Sequence, residues 1–225
     1  MRKPVVDYRQ FRLRRISEPQ FSHLLLLLGW VGYFALYFLT ENLIPAENCR
    51  PVHMWLDDVI PFHEGFLIPY VFWYLLVAGS LGYFLLYNVE SFKALQTYII
   101  VTQVVAMAAY ILLPTRQDLR PAEFPRDNFL TQAVGLLYAF DTNTGVCPSL
   151  HVAYSLGIAS VWTKEKGGSI WWKCFVVFAV VMICLSTMFI KQHSAVDFFA
   201  AIPVCLLAEG IVYGKRYQKR LLGRK

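Results

Sequence analysis

Two stretches of the sequence place ionisable side chains beside long apolar segments. His193 and Asp197 lie four residues apart in "KQHSAVD", just before the last apolar segment, and Ser149 and His151 lie in "CPSLH", at the start of another. Residues four apart share one face of a helix, so a carboxylate at 197 can orient an imidazole at 193. Ionisable groups near membrane depth are costly and are functional candidates by default.

Each stretch also has a simpler interpretation. A His–Asp pair can merely tie two helices together, and "PSLH" can be a capped helix start with a histidine at the membrane interface. However, three cations, Arg116, Arg120 and Lys191, fall in the loops that flank these stretches. A nucleophilic histidine, a proton-donating histidine, a helix N-terminus and a cationic cradle are the groups that phosphoryl transfer uses. The combination therefore favours chemistry over packing.

The positioning elements are predicted to be membrane helices. The chain has 225 residues and is 57% hydrophobic, which is too apolar for an ordinary soluble domain. Because a helix needs about 20 apolar residues to span a bilayer, the pattern predicts an all-α, polytopic membrane protein, with residues 1–225 forming a single domain and a bundle of six transmembrane helices. The predicted spans are Phe21–Thr40, Phe66–Tyr87, Leu95–Leu113, Pro148–Trp162, Ile170–Phe189 and Ala195–Gly214.

The basic residues predict the orientation of this bundle. Sixteen of the 21 lysines and arginines fall in the tails 1–20 and 215–225 or at the loops predicted on the same side. The positive-inside tendency places that side in the cytoplasm, and hence the candidate site on the extracytoplasmic face of a plasma or inner membrane. The basic tails suit anionic lipid. They carry no nucleic-acid recognition pattern, so nucleic acid is not an expected partner.

The five cysteines show no metal-type spacing, and no metal or other cofactor is expected. Cys49 and Cys147 map to the same predicted outer side, where a disulfide is left open as an alternative to two free thiols. The first outer loop is rich in Trp and Pro, and a short amphipathic element at the membrane interface is expected there.

The order and spacing of the candidate residues resemble the type-2 phosphatidic acid phosphatase superfamily, which includes glucose-6-phosphatase and the vanadium haloperoxidases. That family carries three motifs, KxxxxxxRP, PSGH and SRxxxxxHxxxD. The resemblance covers roughly residues 95–214. The matching positions are Arg120–Pro121 for the first motif, residues 148–151 for the second, and Ser186, His193 and Asp197 for the third.

Two family cations are absent from this sequence. The lysine of the first motif would fall at Leu113, and the arginine of the third at Thr187. Arg116 and Lys191 are expected to supply the missing charge, and Arg116 would lie one turn before Arg120 if that loop were helical. "PSLH" together with "KQH" and the aspartate looks more like an atypical branch that contains sphingolipid head-group transferases.

The resemblance implies that His193 attacks phosphorus, Asp197 orients it and His151 protonates the leaving alcohol. The phosphoryl oxygens would be held by Ser149, Ser186, Arg116, Arg120 and Lys191. The expected function is a membrane lipid-phosphate phosphatase that hydrolyses a phosphomonoester or diphosphate lipid through a phosphohistidine. A head-group phosphotransferase of the same fold is the alternative, and a non-enzymatic lipid carrier is a third reading. The identity of the lipid and the oligomeric state are left open.

Overall fold

A computed structural model describes residues 3–221, which are almost entirely helical. Three basic residues that the tail prediction used, Arg2, Arg224 and Lys225, lie outside the described residues. Two short strands, β1 (Arg50–Pro51) and β2 (Thr115–Arg116), pair in parallel. The α-helices of the described chain are α1 (Leu28–Leu43), α2 (Trp55–Val59), α3 (Leu67–Tyr87), α4 (Val89–Leu112), α5 (Phe129–Phe140), α6 (Leu150–Lys164), α7 (Ile170–Phe189) and α8 (Ala195–Leu221).

Five helical segments of the described chain are long and apolar enough to cross a membrane. They are Ser22–Leu43, Glu64–Tyr87, Val89–Leu112, Ile170–Phe189 and Ala195–Gln218, which correspond to all the predicted spans except the fourth. That span forms α6, which has 15 residues. At the helical rise it is about 22 Å long, whereas the hydrocarbon layer is about 30 Å thick. The predicted count of six spans is therefore not confirmed.

The long helices alternate in direction, so helix starts and helix ends meet. At one end of the bundle α4 and α7 finish and α6 and α8 begin; we call this the site end. There the Tyr110 hydroxyl of α4 donates to the Pro148 carbonyl before α6 at 2.7 Å. The Ser149 N–H donates to the Asp197 carbonyl of α8 at 3.1 Å. These bonds bring the starts of α6 and α8 together.

The opposite end, where α3 finishes and α4 begins, also receives the N-terminal segment; we call it the tail end. The Val5 N–H donates to the Leu86 carbonyl at 2.8 Å. The side chain of Asn88, which caps α4, donates to Glu165 just after α6, also at 2.8 Å. The chain segments before α1 and along the last turns of α8 therefore lie away from the candidate site.

Helix α4 is the centre of the bundle and contacts α1, α3, α6 and α8. Gly157 of α6 lies against the Tyr98 ring of α4, where an added Cβ would be 2.5 Å from the ring. A larger residue at 157 would therefore push α6 away from α4. Gln96 of α4 is fully buried and accepts a hydrogen bond from Trp30 Nε1 of α1 at 3.1 Å. This bond satisfies a polar group that the apolar core would otherwise leave unpaired.

The two loops that were predicted on the outer side meet over the site end through the β1–β2 pair. The first loop contains α2, the short helical element that the sequence suggested. The second loop contains α5, a 12-residue helix that was not predicted. Asn128 caps the first turn of this helix by accepting from the Leu130 and Thr131 N–H groups. No helix forms over residues 117–128 of the described chain. The local helix that would place Arg116 one turn before Arg120 is therefore wrong.

Candidate active site

His193 and Asp197 form a buried pair at the start of α8. His193 Nδ1 lies 3.1 Å from Asp197 Oδ2, and the Ser194 N–H donates to the same oxygen at 3.0 Å. Asp197 is fully buried and His193 is 8% exposed. The carboxylate holds the imidazole proton on Nδ1, which leaves a lone pair on Nε2. The one-turn contact that the spacing predicted is thus present.

The free lone pair of His193 faces the second histidine. His193 Nε2 lies 3.3 Å from His151 Nδ1. The His151 ring stacks on Tyr70 with centroids 4.7 Å apart and meets Trp73 at 4.3 Å, and these aromatic faces fix its orientation. Its other nitrogen, Nε2, is buried and has no hydrogen-bond partner within residues 3–221. Since buried polar atoms are rarely unpaired, this nitrogen marks a place for a ligand.

Ser149 is the N-cap of α6, as the simpler interpretation of "PSLH" proposed. Its Oγ accepts from the Val152 N–H at 3.4 Å, and the residue is fully buried. The cap sets the direction of the first turn and so aims His151, two residues later, at His193. The serine oxygen is used as an acceptor, which leaves its O–H as a donor to a ligand. However, Ser149 is not among the residues that line the cavity beside the histidines, so the structure shows its capping role alone.

Arg120 reaches the site loop through Gln192. Its guanidinium donates to the Gln192 side chain at 2.8 Å and to the Asp141 and Thr142 carbonyls at 2.7 and 2.9 Å. Gln192 in turn donates to the Asp141 carboxylate at 2.8 Å. Burial raises the pKa of the Asp141 carboxyl, and the nearby charge of Arg120 offsets part of that effect. Arg120 thus supports the residue beside His193, with most of its donors already used.

The other predicted phosphate-binding residues are engaged elsewhere. Arg116 pairs with Asp118 at 3.0 Å and donates to carbonyls of the first loop. The Lys191 ammonium donates to the Asp57 and Ile60 carbonyls. The Ser186 hydroxyl donates to a carbonyl within α7. The structure therefore brings together His193, Asp197, His151 and Ser149, with Arg120 behind them, but it does not bring Arg116, Lys191 or Ser186 to the histidines.

Asp57 is a site-supporting residue that the sequence did not reveal. Its carboxylate is 4% exposed and accepts from the Ser194 hydroxyl at 2.6 Å and the Ala195 N–H at 2.7 Å. It thereby caps the N-terminus of α8 from the first loop, more than one hundred residues away along the chain. Lys191, which lies in the left-handed region at φ 54°, is held against the same loop. In the sequence, the only signal was that Asp57 belongs to an acidic pair in a first loop that is acidic as a whole.

A cavity of about 500 Å³ opens beside the two histidines. Eight aromatic side chains line it, among them Trp73 of α3 and Tyr37 of α1. Asp141 is its one carboxylate, and no lysine or arginine of residues 3–221 lines it. Along α3 the lining runs from Trp73 to Leu81, a distance of about 12 Å at the helical rise. The cavity thus has a polar end at the histidines and an apolar end deep between α1 and α3.

The two cysteines that were predicted on the outer side, Cys49 and Cys147, are free thiols in this structure, so the disulfide that was left open is not formed. Burial and the nearby Asp197 carboxylate raise the pKa of Cys147 to about 12. Cys147 is therefore protonated at neutral pH and reacts slowly. No group of three or more histidine, cysteine, aspartate or glutamate side chains suited to hold a metal occurs among the described residues.

Comparison of the chain with protein-family models, with curated proteins and with solved structures gives no match. The function is therefore inferred from the geometry of the site itself.

Proposed function

We propose that the protein is an integral membrane enzyme that cleaves a phosphate ester of a lipid through a phosphohistidine on His193. The observation that carries this proposal is the array Asp197–His193–His151, buried at the polar end of a cavity inside a bundle of apolar helices. The Asp197 carboxylate binds Nδ1 of His193, so the lone pair of that ring lies on Nε2. His151 lies beside this nitrogen as the proton donor.

The proposed reaction has two steps. In the first, the Nε2 lone pair of His193 forms a bond to phosphorus while the bond from phosphorus to the alcohol oxygen breaks. His151 gives a proton to that departing oxygen, and Asp197 stabilises the positive charge on the His193 ring. In the second step an acceptor hydroxyl loses its proton to His151 and bonds to phosphorus, and the N–P bond breaks. Atoms and protons balance over the cycle.

The histidines must separate for this reaction to occur. Their facing nitrogens lie 3.3 Å apart. A near-attack approach requires about 3–3.5 Å between nucleophile and phosphorus, and the donor to the leaving oxygen needs a further hydrogen bond of about 2.6–3.2 Å. The contact between His193 and His151 therefore corresponds to a resting arrangement, in which His151 is hydrogen-bonded to the lone pair that later attacks phosphorus.

A lipid substrate is favoured by the shape and position of the cavity. Its deep wall is formed by Phe34, Val77, Ala78 and Leu81, so an acyl or isoprenoid chain would bury apolar surface there. The helices that enclose it, α1 and α3, present many apolar side chains to the outside, among them Phe38 and Leu75. A lipid can reach such a cavity from the bilayer without passing through water.

The acceptor decides between the two outcomes of the proposed intermediate. With water the enzyme is a phosphatase, and with a lipid hydroxyl it is a head-group transferase. His193 is buried, and aromatic side chains line the cavity beside it. Limited access of water to the intermediate favours transfer to a second lipid, so the transferase is kept beside the phosphatase as a second candidate.

We further propose that the site end faces the extracytoplasmic side. The sixteen-to-five division of basic residues supports this orientation. The test uses a Cys174→Ser background, because Cys174 is the exposed native thiol, with single cysteines at Thr142 and Ser169. In intact cells an impermeant thiol reagent should label position 142 only. Labelling restricted to position 169 would show the reverse orientation.

The function is tested by measuring products from lipid phosphates with the purified protein, with and without an added lipid alcohol. Wild type should release phosphate or transfer the phosphate-bearing group, and vanadate, which mimics the transition state, should inhibit. Neither product from any lipid phosphate, in the presence of folded protein, would favour the lipid-carrier reading and would reject the enzyme.

A further inference from the structure

Helix α3 has a cavity on each of two opposite faces. The cavity beside the histidines uses the face that carries Trp73 and Leu81. A second cavity, of about 520 Å³, lies on the other face, between α3, α6 and α7; we call it the groove. It is lined by Phe72, Gly79, Ser80 and Tyr83 of α3, Trp162 of α6 and Trp172 of α7, among others. The proposed reaction makes no use of this groove.

The interior of the groove is apolar, and its buried polar side chains are paired with each other. The Trp162 indole N–H donates to the Ser80 hydroxyl at 3.0 Å, and both residues are buried. The buried side-chain atoms that lack a partner within residues 3–221 lie elsewhere, among them Trp73 Nε1 and His151 Nε2 of the first cavity. The groove therefore suits an apolar occupant, whereas the first cavity also calls for a polar one.

The length of the groove matches one leaflet of a bilayer. Its lining along α3 extends from Phe72 to Tyr83, about 16 Å at the helical rise, and the hydrocarbon layer is about 30 Å thick. Leu75 and Trp172 line the groove and are exposed, so it opens on the apolar outer surface of the bundle. An extended acyl chain has this length and can enter from the bilayer.

The groove ends at the tail end, beside two lysines. The loop between α6 and α7 closes it there through Gly167, Gly168 and Ser169. Lys166 is exposed on this loop, and the Lys173 side chain lies 3.5 Å from the position that a Cβ of Gly168 would take. The Lys173 ammonium donates to two backbone carbonyls, which leave its positive charge in place. A phosphate at this end would meet both cations.

The other charged residues of the same loop are already bonded. The Glu165 carboxylate accepts from Asn88 and Ser91 at the start of α4, and Lys164 pairs with Glu209 of α8 at 2.8 Å. The charge that remains at the end of the groove is therefore positive. An apolar groove with cations at one end only is the arrangement that a single anionic amphiphile complements.

We propose that the groove binds an acyl chain of an anionic phospholipid from the leaflet at the tail end, with the phosphate of that lipid at Lys166 and Lys173. The chain would bury apolar surface against the Trp162 and Trp172 rings. This lipid is separated by α3 from the substrate of the proposed reaction, and its site does not depend on that reaction.

The experiment measures which lipids stay bound to the full chain. The protein is purified in detergent with equal amounts of phosphatidylglycerol and phosphatidylcholine of the same chain lengths, and intact complexes are weighed by native mass spectrometry. Wild type should retain one phospholipid per chain. Because a lysine near a lipid surface contributes about fivefold in affinity for an anionic lipid, phosphatidylglycerol should exceed phosphatidylcholine by at least that factor. No bound lipid, or equal retention of both lipids, would overturn the assignment.

A matched pair of glycines locates the acyl chain. A Cβ at Gly79 or at Gly82 of α3 would meet no atom within 4 Å, so both positions accept a larger side chain. Gly79 lines the groove, whereas Gly82 lines neither cavity. Gly79→Leu should lower the fraction of chains with bound lipid at least about tenfold, and Gly82→Leu should retain lipid as wild type does. The same retention in both variants would contradict the assignment.

A pair of lysines locates the phosphate and decides the matter should Gly79→Leu fail to fold. Lys166→Gln should reduce the preference for phosphatidylglycerol about fivefold. Lys215→Gln, at an exposed lysine of α8 that does not line the groove, should keep the full preference. An unchanged preference in Lys166→Gln, or an equal loss in both variants, would overturn the site.

The same spectra test the other occupant of an apolar groove, a second copy of this chain. Dimers of wild type that carry no lipid and that Gly79→Leu dissociates would assign the groove to a subunit interface and overturn the lipid site. None of these measurements uses turnover. Loss of the lipid site would therefore leave the proposed enzyme untouched, and a protein without turnover could still bind this lipid.

Discussion

The two ends of the helix bundle each bury a histidine and carboxylates, but they use them differently. At the tail end, His23 accepts or donates a hydrogen bond with the Tyr8 hydroxyl at 2.8 Å and packs edge-on against Phe92. Glu165 accepts from Asn88 and from the Ser91 hydroxyl at 2.8 and 2.6 Å. Each of these polar groups has a protein partner, and each joins one chain segment to another.

At the site end the pattern is incomplete. The nitrogen His151 Nε2, the indole Trp73 Nε1 and Arg120 Nε are all buried without a partner in residues 3–221. The lone pair of His193 is occupied only by another histidine. The difference suggests that satisfied polar clusters in this membrane protein hold helices together, whereas unsatisfied ones mark the place of a ligand.

The strongest test of this comparison substitutes one histidine at each end of the bundle. His193→Ala should abolish turnover, because it removes the proposed nucleophile. His23→Phe keeps a ring against Phe92 and should leave turnover close to wild type. The measurement is product formation at equal amounts of folded protein. Activity of His193→Ala close to that of wild type would contradict the assignment of His193 as the nucleophile.

His151 should show an effect that depends on the leaving group. Loss of a general acid typically costs about 10²–10⁴ in rate, so His151→Ala should lose that much with a lipid alcohol as leaving group. With p-nitrophenol, a weakly basic leaving group that needs little protonation, the loss should be much smaller. Equal losses with both substrates would indicate that His151 serves only to shape the site.

Asp57 should act at a distance, through the position of α8. Removing its capping contacts would shift His193, and a misplacement of about 1 Å can cost about 10²-fold in rate. Asp57→Asn should therefore lower kcat with a small change in KM. Asp58→Asn is the matched control, because Asp58 is the exposed neighbour that pairs with His53. If both variants lower kcat equally, or neither does, the Asp57 cap of α8 has no role in positioning His193.

The smallest effect on activity is expected at the tail end. Glu209 accepts from the Ser160 hydroxyl at 2.6 Å and pairs with Lys164 at 2.8 Å. Glu209→Gln keeps the shape but loses the ion pair, and a hydrogen bond to a charged group is worth about 1.5–3 kcal/mol. We expect a lower Tm with kcat unchanged. A large loss of kcat without a change in Tm would show that the tail end is coupled to the chemistry.

The sequence predicted the long helices well, because hydropathy reports the environment that those residues share. Ile170–Phe189 has the predicted limits, and α8 starts at Ala195 as predicted. The chain's short-range spacing also predicted the His193–Asp197 contact. The sequence did not predict α5, because its apolar residues lie in a segment that was interpreted as a loop between two spans.

The cationic cradle could not be judged from the sequence, since a charge on the correct side of the membrane need not face the site. Lys191 is next to Gln192 and two residues from His193, yet its ammonium is turned to the first loop and held by the Asp57 and Ile60 carbonyls. Asp141, in contrast, lines the cavity but belongs to none of the motifs that the sequence showed. Both facts follow from tertiary contacts between loops that are distant in sequence.

The central claim is a covalent intermediate on His193, and it is tested most directly by trapping that intermediate. His151→Ala, in which the second step lacks its base, is mixed with a p-nitrophenyl phosphate ester, whose leaving group needs little protonation in the first step, quenched with alkali because phosphohistidine is acid-labile, digested and examined by mass spectrometry. We expect a phosphoryl group, or a phosphoryl group still carrying its head-group alcohol, on His193, and no such adduct after His193→Ala. An adduct on another residue, or turnover with no adduct on His193 at any time, would contradict it.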